Sequence, residues 1–155
     1  MFKKIKYIVS ITMIFIIFSL LFTGCSRTKK VRDEEATAFK ESILEKNEKI
    51  KELEFTFRRP SLIGDLAYDG DLEEEDFELL IDEFKTLIDI EFMQHIGDQY
   101  WGGSRPHDFV LYIYVDEIRE EGYDYEIRSS YNKTFVHDEE PDNIDGYETW
   151  HISDN

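Results

Sequence analysis

Between Phe77 and Ile88 the apolar residues Phe77, Leu80, Ile81, Phe84, Leu87 and Ile88 recur at three- and four-residue spacing. That period puts one apolar stripe on a helix, with Asp82, Glu83 and Lys85 mostly outward. A stripe of that width must be covered, and the chain supplies a cover downstream. Phe109 to Val115 is apolar at both parities, as a central strand is. Tyr123, Tyr125, Ile127, Ser129 and Tyr131 then alternate with Asp124, Glu126, Arg128 and Ser130. The two segments flank the acidic turn Asp116 to Gly122 and predict an antiparallel hairpin.

The remaining segments add to this pair. Asp33 to Lys49 has the spacing of a surface helix, with Phe39 and Ile43 on its thin stripe. Glu52 to Arg58 alternates, with Leu53, Phe55 and Phe57 on one side, and Pro60 stops it. Gly64 to Asp71 has turn composition, centred on Asp69-Gly70. Asp71 and Glu74 make a capping box for the long helix. Asp89 to Ile96 either continues that helix or forms a second short one, stopped at Gly97. Thr134 to His137 and Tyr147 to Ile152 are two further short strands around the acidic loop Asp138 to Gly146. The expectation is an α+β domain, with one or two helices on one face of an antiparallel sheet of four to five strands. Cystatin-like and NTF2-like folds share that element order, as an analogy of fold alone.

The first 25 residues set the address. Lys3, Lys4 and Lys6 precede an apolar run from Tyr7 to Phe22, and Thr23, Gly24 and Cys25 close it. A basic head, an apolar stretch and small residues describe a secretory signal. The run is short of the ~20 residues that span a bilayer. Phe22-Thr23-Gly24-Cys25 resembles the lipobox of bacterial lipoproteins, although Leu is usual where Phe22 stands. The resemblance covers 25 of 155 residues. It implies a signal peptide over 1–24 and a diacylglycerol on Cys25, the new N-terminus. A basic tether over 25–32 and a single extracytoplasmic domain over 33–155 would follow, held at the outer side of the cytoplasmic membrane. Cys25 is the only cysteine in the chain, and lipidation explains an odd cysteine in a secreted protein.

Three of the 18 basic residues and none of the 35 acidic ones lie in residues 1–24, so removing them takes the net charge from −17 to −20. Such acidity excludes ordinary nucleic-acid binding, which depends on basic residues displacing counterions. It also keeps a tethered domain dispersed.

No catalytic or cofactor motif is present. His95, His107, His137 and His151 are scattered, without metal-ligand spacing. Asp65 to Asp76 places acids at some positions of a calcium loop, but Ala67 fails the third. Asp69, Asp71 and Glu73 remain a weak candidate. A carboxylate pair acting on envelope polymers has no marking spacing. The loop Asp98 to Pro106 is the place to expect binding. Tyr100, Trp101 and Arg105 are of the residue types enriched at hot spots, while large aromatics are mostly buried. The function expected is a non-enzymatic, membrane-anchored module. Its partners are the membrane, through Cys25, and an envelope protein, peptide or wall ligand.

Overall fold

The computed structural model describes residues 28–119, 122–134, 136 and 140–154. The leader, the lipobox and Cys25 therefore lie outside the described residues, as do Phe135 and His137. In chain order the elements are β1 (Lys29–Lys30), α1 (Glu34–Lys46), β2 (Ile50–Arg58), β3 (Ser61–Tyr68), α2 (Glu74–Lys85), α3 (Ile90–Tyr100), β4 (Asp108–Val115), β5 (Tyr125–Ser130) and β6 (Trp150–Asp154). The six strands form one sheet in sequence order.

The expected antiparallel sheet is corrected here to a mixed one. β3 and β4 run parallel, with Leu62 opposite Phe109 and Leu66 opposite Ile113. Every other pair is antiparallel. A parallel pair needs a crossover, and α2 and α3 together provide it. The strand that changes the topology is β3, which lies largely where turn composition was read. Leu62, Ile63, Leu66, Ala67 and Tyr68 are all buried, so the strand carries no clean alternation. Gly64 and Asp65 gave it the look of a turn. Gly64 is there for space: a Cβ would sit 2.9 Å from Leu111 Cδ1.

Three helices replace the expected one or two. The stripe runs on past Lys85, but Asp89 starts a new helix by accepting from Phe92 N at 2.8 Å. The cap of α2 also falls two residues later than expected: Asp76 Oδ2 accepts from Glu73 N at 3.0 Å. Gly97 does not stop a helix. It is buried inside α3, where an added Cβ would lie 2.3 Å from Ser104 O. Lys29 and Lys30, expected in the tether, pair with Phe57 and Thr56. Of the expected strand Thr134 to His137, the described Thr134 and Val136 are not in a strand. The last strand begins at Trp150, three residues later than expected.

All three helices pack on one face. Leu53, Phe55 and Phe57 of β2, Leu62 and Leu66 of β3, Phe109, Leu111 and Ile113 of β4, and Ile127 of β5 join Ile43, Leu80, Phe84, Phe92, Met93 and Ile96 in one core. Phe84 is its hub, 5.1 Å from the ring of Phe39 and 5.5 Å from that of Phe109. Fully burying a side chain of this kind contributes about 1.5–3 kcal/mol. Asp33 locks α1 to α3. Its Oδ1 caps α1 at Glu35 N and Ala36 N, and its Oδ2 meets His95 Nε2 and Gln99 Nε2, both at 2.9 Å.

Candidate functional site

Strand periodicity decides what the opposite face of the sheet carries, because neighbouring residues point to opposite sides. With the helix side filled by the core residues, the other parity gives two rows. One runs Thr56, Ile63, Val110, Arg128, His151 across β2 to β6. The next runs Glu54, Asp65, Tyr112, Glu126, Ser153. Ile63 and Val110 are buried in the middle of the first row, and polar groups flank them. On the second row, burial pushes the Asp65 carboxyl above the usual carboxylate range. The nearby charge of Glu54 adds to this, against the hydrogen bond from Tyr114 Oη at 2.9 Å. Tyr123 folds over Tyr112, ring centroids 4.5 Å apart, and its hydroxyl donates to Glu126 at 3.1 Å.

A cavity of about 450 Å³ lies on this face at the β4–β5–β6 end. His107, Asp108, Arg128, Ser130 and His151 come to it from the strands and their approach. Asn132, Lys133, Thr134, Asp145 and Thr149 come from the long connection between β5 and β6. The end of that connection before β6 is anchored by Tyr147, 2% exposed, whose hydroxyl donates to Pro106 O. Tyr147 adopts the left-handed backbone, φ 68°, and so does Gly146 before it, φ 70°. Those two residues turn the chain into β6.

The carboxylates of the cavity are engaged by the protein. Asp108 accepts from Ser130 Oγ at 2.8 Å and Ser61 Oγ at 3.5 Å. Asp145 accepts from Thr149 N at 2.8 Å and Thr149 Oγ1 at 2.6 Å. The cations are less fully used. Arg128 donates from Nε to Glu126 at 2.9 Å, and Lys133 Nζ donates to Asp142 O at 3.2 Å. Burial of Arg128 disfavours its charge, but the Glu126 contact and the carboxylates of Glu126 and Asp108 outweigh this and hold it protonated.

The aromatic loop expected to bind sits beside this cavity. Tyr100 is the last residue of α3, and its hydroxyl accepts from Arg32 N at 2.7 Å. Trp101 is half-buried, 6.2 Å from the Phe57 ring and edge-on to His107 at 5.5 Å. The Arg105 guanidinium lies 3.8 Å over the Tyr131 ring. None of the three lines the cavity; Trp101 backs one of its walls through His107. Two of the four scattered histidines, His107 and His151, converge on the cavity, while His95 serves Asp33. Arg128 and Ser130 were visible in the sequence as the polar parity of β5. Their convergence with His151 and Lys133 was not, because it depends on where residues 131–134 and 140–149 lie.

The partial calcium loop does not assemble. Asp65 lies within β3 on the sheet face, Asp69 pairs with Lys51 at 3.0 Å, and Asp76 binds Lys49 and Tyr68. Among the described residues, no group of three or more metal-ligating side chains is placed to hold an ion. No described helix is long and apolar enough to cross a membrane. Comparisons with family models, curated proteins and solved structures find no match to the chain.

Proposed function

We propose that the chain is a membrane-anchored lipoprotein, attached through lipid on Cys25, whose outward-facing domain binds a ligand and performs no reaction on it. The observation that carries this reading is the cavity on the helix-free face of the sheet. A volume of 450 Å³ falls within the ~300–1,000 Å³ of ligand pockets. The carboxylates lining it are tied to hydroxyl and amide donors, which suits fixed recognition better than proton transfer. A tether at the membrane and a polar cavity together suit a wall polymer or an envelope peptide.

Two experiments test the two halves. Radiolabelled palmitate should enter the full chain in its bacterial host and be lost in Cys25→Ser. Labelling that survives Cys25→Ser would contradict the anchor. Detergent-solubilised full chain should co-sediment with insoluble cell wall, and Ser130→Trp or His151→Trp, which fill the cavity, should release it. Leu79→Ala, on the far side of the sheet, should not. Circular dichroism confirms that each variant is folded. Wall binding unchanged in both folded tryptophan variants would remove the cavity from the account.

A further inference from the structure

We infer that the cavity is an oxyanion site, in which Arg128, His151 and Lys133 take the carboxylate or phosphate group of a small polar ligand. This rests on the binding-module reading above and gives it a chemistry.

The first argument is arrangement against charge. The chain is strongly acidic, at a formal −17, yet the cavity balances Asp108 and Asp145 with Arg128 and Lys133 and adds two histidines. Arg128 and His151 are directly opposed on β5 and β6. Opposed side chains have Cβ atoms about 4.5–5.5 Å apart, close enough for both to reach one ligand group. On its other side in the row Arg128 faces Val110, which takes none of its donors. A bound anion between Arg128 and His151 would meet donors from both strands.

The second argument is donor supply. Arg128 is oriented by its single bond from Nε to Glu126. Among the described residues its two terminal nitrogens make no hydrogen bond, and neither does the His151 ring. An arginine fixed at Nε presents the end of its planar fork, the geometry that receives a carboxylate or phosphate in bidentate fashion. Lys133 spends one of its three N–H donors on Asp142 O and keeps two. Acceptors are fewer: Asp108 and Asp145 each already take two donors, about half of a carboxylate's capacity. Donors therefore dominate what the cavity still offers. The cavity has room beyond the oxyanion itself. The remaining lone pairs of Asp108 and Asp145 would take hydroxyl or amine groups of the same ligand.

The test is an amide NMR titration of the full chain in maltoside micelles with inorganic phosphate, and separately with acetate, at constant ionic strength set by chloride. Saturable shifts confined to β5, β6 and Lys133 are expected. Binding should weaken by about tenfold or more in Arg128→Gln, and by less in Arg128→Lys, which keeps charge but loses the fork. A stronger response to phosphate than to acetate assigns a phosphorylated ligand, and the reverse a peptide or sugar carboxylate. Equal shifts in wild type and folded Arg128→Gln overturn the inference. If both anions are inert while a neutral oligosaccharide shifts the same amides, the oxyanion assignment falls and the binding module stands. If wall co-sedimentation also fails in wild type, both fall.

Discussion

Asp33 does more than its position as a helix cap requires. Burial of its side chain works against ionisation. Hydrogen bonds from Ala36, His95 and Gln99, and the charge of His95, outweigh burial and hold the carboxyl below its ordinary range. A carboxyl lowered in the folded state contributes stability above its unfolded pKa, about 4. That contribution is lost as pH falls through the lower folded value. Asp33→Ala should cost about 0.5–2 kcal/mol through the cap alone. Asp33→Asn keeps a capping oxygen but loses the charge toward His95. Urea unfolding should find it less stable than wild type at pH 7, with the gap closing in strong acid. A gap that is constant with pH would mean that the charge of Asp33 is not what joins α1 to α3. The sequence showed Asp33 as a helix start. It could not show His95 and Gln99, which arrive from 62 and 66 residues away.

At the scale of elements, what the sequence made legible is what repeats locally. The stripe of α2, the alternation of β2 and the hairpin of β4 and β5 appear where period and parity put them. Elements defined by their surroundings were hidden. β3 is buried on both faces and interrupted by Gly64 and Asp65, so composition made a turn of it. The boundary between α2 and α3 rests on one cap at Asp89 inside a continuous apolar pattern. Gly97 was read as a stop because glycine disfavours helix interiors. In the fold it lets α3 come close to the backbone of the 101–107 loop. Gly97→Ala tests this directly. Helix propensity alone would stabilise by up to about 1 kcal/mol. Overpacking against Ser104 should instead cost about 1–3 kcal/mol. A lowered melting temperature is therefore expected, and a raised one would contradict the close approach. The same contact supports the wall behind His107 through Trp101, so the variant should also weaken ligand binding.

The whole molecule is a sheet with two unlike sides. One is committed to stability, with three helices over a core centred on Phe84. The other carries charged and aromatic rows and the cavity at the β4–β5–β6 end. The acidity is read directly from the sequence, and the proposed address rests on the first 25 residues alone. The sequence pointed to the aromatic loop because Tyr, Trp and Arg cluster there. Those three side chains contact Arg32, Phe57, His107 and Tyr131, and the less conspicuous Arg128, Ser130 and His151 line a cavity next to them. The most direct test of that division is hydrogen–deuterium exchange on the full chain in micelles, with and without soluble wall fragments. Slowed exchange over 125–134 and 149–154, with the helices unchanged, is the result predicted. Protection confined to the 101–105 loop, or to the helix side around Leu79, would place the functional surface elsewhere and contradict the account.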